Sequence, residues 1–498
     1  MKKVIGYLPL DDRPCNYCWA QKFLRNTSFK LLMPPRDIMG RFKIPAEREK
    51  IYLWLKNNVT SMDAIIMSMD LIAYGGLVAS RRLDESLAEV RERIKFIEEL
   101  KMLKPDLTVY AFSILMRISI TVDSPESQKY WKHIFEYSKL YYQIEYLKQL
   151  ELKDRIKEIE SEIPQDLLQT YLDTRKRNFT LNKEYLGFLE KNQIDFLVYA
   201  QEDAAEYGFH REEQAALRKL IRKKELLEKV ELITGTDEIG TLLLARYINV
   251  VSGYTPRIFV DYTFDKGKFF IAPYEDCCLN ISIEEHIRLL GGIQGAEADN
   301  ADIILLCHNS EQKAMDLFTS YPVVFDDTAA KVFLKKFKKY LKIKKIIAVA
   351  DVFYTNGGDP ALIELLSSKK YLKFISSYTG LNTTSNSIGL TLGQASLILT
   401  LKHDRKHIEE LLLERILDDC YYQTLIRPEI SKKIISHGLS PLNLLEKSRE
   451  YEEEIENKLM EYLEKLCLYE KTSLKHFSAI LPWNRTFEVE IDMNIDSE

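Results

Sequence analysis

Along this chain, short apolar runs stop abruptly at clusters of acids, amides and glycines. KVIGYLPL ends at Asp11-Asp12-Arg13-Pro14, AIIMSM at Asp70 followed by AYGG, and DFLVYA at Gln201-Glu202-Asp203. VELITG ends at Thr236-Asp237-Glu238, IIAVA at Asp351 and then Asn356-Gly357-Gly358-Asp359, and KFISSY at Thr379-Gly380-Leu381-Asn382. An uninterrupted apolar run of this length reads as a strand buried on both faces, the habit of parallel sheets. Parallel α/β folds bind ligands beyond the carboxyl ends of their strands. The clusters therefore predict one acidic, polar pocket, and an enzyme more than a scaffold.

Strand candidates fall at 3–9, 29–33, 63–69, 107–113, 194–201, 230–235, 257–263, 302–307, 345–351 and 372–378. Amphipathic stretches such as 83–103 lie between them, which argues for βαβ units. Two stretches break the rhythm. Residues 124–190 hold no strand candidate and read as a helical hairpin, opened by Ser124-Pro125 and interrupted by Pro164, serving as a lid or an oligomer contact. Residues 403–470 are again helical and charged, and FEVEIDM closes the chain as a short strand. The expected organisation is an α/β core over 1–400 with a helical insertion at 124–190, then a C-terminal helical region over 401–498.

Without those helices about 330 residues remain, enough for a parallel (β/α)8 barrel-like core. Ten strands exceed eight, so 29–33 and one of 257–263 or 302–307 are expected off the barrel. The alternative is two doubly wound α/β domains facing a cleft. Polar clusters at most strand ends favour the barrel, because an open sheet brings only the strands near its switch point to the ligand.

Alternation along DFLVYAQED places Gln201 and Asp203 on one face and Glu202 on the other, so Asp203 is the first choice for the pocket. Glu202 takes over if the strand ends early. Asp70, Asp237 and Asp351 are the other candidate catalytic acids. Asp11, Asp12, Arg13, Tyr74, Arg117, Asn356, Asn382 and Asn386 are the candidate substrate-binding residues, and Arg81 is a second cation near the pocket. Asp237 and Asp359 also fit helix capping. The chain has no GxGxxG after a strand, no phosphate-binding loop, no GxSxG and no HExxH. No cofactor and no metal ligands are therefore assigned, although Asp70, Asp203, Asp237 and Asp351 are the oxygen-donor types that Mg²⁺ or Ca²⁺ takes.

YLPLDDRPCN, SMDLIAYGGLVASR, QEDAAEYG, GTDE, VADVFYTNGGDP and YTGLNTTSNSIG, in that order, resemble the bacterial DUF4127 family, whose function the resemblance leaves open. Leu381 stands where an aromatic residue is expected before Asn382, and Glu202-Asp203 where paired Asp is expected. Gln201-Glu202-Asp203 and the Asn382–Asn386 segment are also similar in kind and order to motifs of family 84 glycoside hydrolases, a fold-level analogy. Together the acids and this analogy lead us to expect a hydrolase using paired carboxylates on a glycoside or amino sugar. The alternatives are a metal-dependent isomerase, lyase or phosphohydrolase, or a non-catalytic metabolite-binding protein.

Net charge is −5 with no basic block, so no nucleic-acid partner is expected. No run reaches the roughly 20 apolar residues of a membrane helix. VIGYLPL is too short for a signal peptide, and seven scattered Cys fit a reducing compartment, so a cytoplasmic location is expected. A small-molecule or carbohydrate substrate is the expected partner, and a homo-oligomer is left open.

Overall fold

A computed structural model describes residues 2–320, 325–466 and 472–497. The chain divides into two compact units, Met1–Gly240 and Thr241–Glu498, where the sequence suggested a division at 400/401.

In the first unit the strands are β1 (Lys3–Leu8), β2 (Phe29–Leu32), β3 (Ala64–Ser68), β4 (Thr108–Leu115), β5 (Phe196–Gln201) and β6 (Val230–Thr234). They form one parallel sheet in the order β2-β1-β3-β4-β5-β6. All five residues of β3 are buried, as helices on both faces of a parallel sheet require. Leu8, Met67, Val109, Leu197 and Leu232 share one core with Ile51, Leu55, Ile97, Leu186 and Leu217 of the covering helices.

The second unit holds β7 (Arg257–Tyr262), β8 (Ile293–Gln294), β9 (Ile303–Asn309), β10 (Met315–Asp316), β11 (Ile346–Val352), β12 (Tyr354–Thr355), β13 (Ser377–Thr379), β14 (Thr472–Ile480) and β15 (Glu490–Ser497). Its main sheet is parallel, in the order β13-β11-β9-β7-β8. Counted from β7, that order is 2-1-3-4-5, the winding that β2-β1-β3-β4-β5 follows in the first unit. β10 and β12 make a short parallel pair, and β14 and β15 an antiparallel hairpin.

The strands thus form two open parallel sheets, where one closed eight-stranded barrel was expected. β2 and β6 remain edges of the first sheet. The strands expected off the barrel, 29–33 and 257–263 or 302–307, are members of the sheets. Polar strand ends misled because several of them are helix caps. Ser68 Oγ accepts the Leu71 amide, Asp359 Oδ1 the Ala361 amide, and Thr383 and Asn386 form a capping box. A cap of this kind occurs in any α/β unit, closed or open.

The insertion is helical, but as three helices, Pro125–Glu145, Lys153–Ser161 and Gln165–Glu190. The run expected as a strand at 372–378 begins as a 3-10 turn, Leu372–Phe374, and only Ser377–Thr379 joins the sheet. The charged C-terminal segment supplies helices Arg405–Arg415, Arg427–Ser436 and Arg449–Lys465, with a π-helix at Ile416–Ile426; residues 467–470 of the expected helical stretch lie outside the described residues. These helices share a core with Ile304, Val349 and Leu362. Among the described residues no helix is long and apolar enough to cross a membrane.

Candidate active site

A doubly wound sheet opens a crevice where its strand order reverses, here between the carboxyl ends of β1 and β3. The two loops touch at that point. A Cβ on Gly76 would lie 3.4 Å from the Leu10 carbonyl oxygen and 3.9 Å from Asp11 Cβ, and Gly76 has φ +128°, a backbone region that L side chains rarely adopt.

Arg13 occupies the β1 side. Its Nε lies 2.9 Å from Asp11 Oδ2, and its Nη1 and Nη2 lie 3.1 and 2.6 Å from Asp237 Oδ2 and Oδ1. Asn16 Nδ2 donates to both carboxylates, at 2.9 and 3.2 Å. All four side chains are buried. Burial alone would lower the Arg13 guanidinium, but the charges of Asp11 and Asp237 outweigh it and hold it well above its ordinary value. Burial raises Asp237 while Arg13 opposes. This closed network ties the loop after β1 to the loop after β6. The Asp237 and Asp11 oxygens face an arginine and an amide.

A second cluster lies at the ends of β3, β4 and β5. β5 stops at Gln201, so strand alternation does not carry through to Glu202 and Asp203. Glu202 turns inward, 4 % exposed, between two guanidinium groups. Arg81 pairs with it through Nε at 3.2 Å and through Nη2, and Arg117 Nε lies 3.2 Å from its Oε1. Arg81 Nη1 also donates to Thr121 at 3.0 Å. Arg117 Nη2 pairs with Asp203, whose side chain keeps 22 % exposure. Asp203 is thus more exposed than Glu202 or Asp70.

Asp70 sits beneath, 2 % exposed, in the first turn of the helix Met69–Tyr74. Its Oδ2 accepts the Ile114 amide at 2.8 Å. Burial pushes its carboxyl up to about 7; the Glu202 charge adds to the rise, and the Ile114 amide and Arg81 oppose it. Tyr74 belongs to the hydrophobic core, its ring 4.7 Å from the Arg177 guanidinium carbon. Asp12 is buried, and its backbone carbonyl accepts Arg36 Nη2 at 2.9 Å.

The remaining candidates belong to the second unit. Asp351, the penultimate residue of β11, is fully buried, accepting the Tyr378 hydroxyl at 2.9 Å and the Asp359 amide at 2.7 Å on Oδ2. Burial raises it to about 6 against the opposing charge of His308. Asp359 caps its helix through Oδ1 and meets His308 Nε2 at 2.9 Å through Oδ2, while His308 Nδ1 lies 3.2 Å from Thr263 Oγ1. Asn356 Nδ2 donates to Asp316 Oδ1 at 2.8 Å, and its amide to the Asn382 carbonyl at 2.7 Å. Asn382 Nδ2 donates to Asn386 Oδ1 at 3.1 Å. These asparagines brace one another's loops. Asp419, on the π-helix, accepts the Gly380 amide at 3.0 Å and is raised by burial to about 8.

The candidate acids therefore form separate groups: Asp11 and Asp237 around Arg13; Asp70, Glu202 and Asp203 with Arg81 and Arg117; and Asp351 in the other unit. Sequence reading missed His308, Asp419 and Thr121. His308 hides inside IILLCHN, where one polar residue in an apolar run gives no signal, and Asp419 sits in a segment that reads as an ordinary charged helix. Among the described residues no group of three His, Cys, Asp or Glu is placed to hold a metal ion.

A family described as "Protein of unknown function (DUF4127)" matches residues 5–492. No curated protein and no solved structure matches the chain.

Proposed function

We propose for this chain, which belongs to the DUF4127 family, a hydrolase that works with paired carboxylates on a glycoside or amino sugar. The observation that carries this reading is the contrast within one cluster. Asp203 is partly exposed and ion-paired to Arg117, while Asp70 is buried with a carboxyl pushed up to about 7. Titratable groups set apart by their environments are the pattern of acid–base catalysis.

Asp203 is the group that exchanges a proton with the leaving oxygen or the attacking water. Glu202, held by both arginines, fixes the Arg117 guanidinium that pairs with Asp203. Asp70 changes charge near neutral pH and through Glu202 alters the field at the cluster. Two guanidinium groups facing two carboxylates give nearly balanced charge, with donors and acceptors side by side. That balance suits neutral hydroxyl groups better than a strongly charged substrate. The reading rests on these residues and no longer on the family 84 analogy, since the strands form open sheets.

The test is a panel of 4-nitrophenyl glycosides, with N-acetylamino sugars included. Hydrolysis of at least one member is expected, with Asp203→Asn lowering kcat/KM about a hundredfold or more and Asp70→Asn flattening the pH profile around 7. A wild-type chain inert on the whole panel, or full turnover by Asp203→Asn, overturns the reading.

A further inference from the structure

The helix Gln165–Glu190 of the insertion carries an unusual buried stripe: Tyr171, Arg175, Asn178 and Asn182, spaced like the seam of a coiled coil. An inward seam is ordinarily apolar, and each buried polar group must find a partner. The partners include backbone carbonyls at Arg117, at Ser80 next to Arg81, and at Ile114, besides the side chains of Glu213 and Ser113. Tyr171 Oη donates to the Arg117 carbonyl at 3.2 Å. Arg175 Nη1 donates to the Met116 and Arg117 carbonyls, both at 2.9 Å, while its Nη2 pairs with Glu213 at 2.6 Å. Asn178 Nδ2 donates to the carbonyl of Ser80, next to Arg81, at 2.8 Å, and the neighbouring Arg177 donates to the same oxygen at 3.0 Å. Asn182 Nδ2 donates to the Ile114 carbonyl at 3.2 Å, the residue whose amide holds Asp70.

We propose that this helix is the positioning element of the cluster: Arg175, Asn178 and Asn182 fix the backbone that aims Arg117, Arg81 and Asp70. The proposal rests on the acid–base reading above and gives the insertion a role distinct from a lid or an oligomer contact. Ser80 ends a short helix, where free carbonyls need donors, so the Asn178 and Arg177 bonds also fix the exit direction of Arg81.

The test replaces the stripe without opening space. In the full chain, Asn178→Leu and Asn182→Leu fill similar volume with apolar atoms, and Arg175→Lys keeps the Glu213 pair while losing the two-carbonyl grip. The expected result is a tenfold or greater fall in kcat with Tm within a few degrees of wild type, and a milder fall for Arg175→Lys than for Arg175→Met. Activity within twofold of wild type overturns the proposal, as does a loss that follows the folded fraction alone. A substrate-independent readout separates its failure from that of the proposed function. The component of the pH dependence of unfolding that Asp70→Asn removes is expected to move its midpoint by half a pH unit or more in Asn182→Leu. Asp70 faces Glu202, Arg81 and the Ile114 amide there. An unmoved midpoint overturns the proposal even if no glycoside is cleaved.

Discussion

The Tyr378 hydroxyl and Asp351 Oδ2 meet at 2.9 Å directly over Gly358, so that a Cβ on that glycine would lie 2.2 Å from Tyr378 Oη and 3.0 Å from Asp351 Oδ2. Gly358→Ala must push the pair apart. It is expected to destabilise the protein by about 1–3 kcal/mol, the range for overpacking a filled core. Tyr378→Phe removes the clashing hydroxyl, so the double variant is expected to lose less than the sum of the single losses in denaturant melts. Additive losses would show that the contact does not limit the site.

Arg13 holds two buried carboxylates, and this sets an order of severity. Arg13→Met strands both Asp11 and Asp237, and is expected to cost about 3–5 kcal/mol. Asp237→Asn leaves the Arg13–Asp11 pair intact and costs less. Equilibrium unfolding at pH 7 checks the order, and a larger loss for Asp237→Asn would contradict the network described.

Asp70 makes stability fall with rising pH. Its folded-state carboxyl is raised to about 7 from an ordinary 3.8, so between those values the folded chain binds more protons than the unfolded one. The contribution is fully present below about pH 4 and is lost as pH rises through 7. Three pH units correspond to at most roughly 4 kcal/mol. Asp70→Asn is expected to flatten this fall and to be relatively more stable at pH 8 than at pH 5, as urea melts at the two values would record.

Asp359 serves two partners at once, its helix's first turn and His308. Asp359→Ala loses a cap worth about 1 kcal/mol and leaves a buried imidazole unpaired at about 1–3 kcal/mol, roughly 2–4 in sum. Asp359→Asn keeps the cap and is expected to lose clearly less. Equal thermal shifts for the two variants would count against the double role.

The ten apolar runs all contributed to sheet strands, and most are buried on both faces, a local property that composition records; Phe29–Leu32 and Arg257–Tyr262 are only partly buried. Which strand neighbours which is not local. Tyr110 opposite Phe196 and Ile5 opposite Ala64 depend on contacts that the pattern of one run cannot carry. β14 escaped notice because its TSLKHFSAI is too polar to read as a buried strand, although Ala479 packs in the core. At the site, the residue types were legible and the pairings were not. Asp237 read as either a pocket acid or a helix cap, while the structure pairs it with Arg13, 224 residues away. The choice between Glu202 and Asp203 turned on exposure, 4 % against 22 %, which strand alternation cannot decide.

The Arg13–Asp237 pair also sets a schedule for synthesis. Arg13 is translated 224 residues before Asp237, which comes three residues before the end of the first unit. The Asp237 side of the latch cannot close until everything between them, the three inserted helices included, has been translated. β1 lies inside the first sheet, between β2 and β3, so the first strand of the unit is fastened by nearly the last residues of that unit. Before that, Arg13 can meet the carboxylate of Asp11 two residues away, and the later pair with Asp237 joins the two ends of the unit.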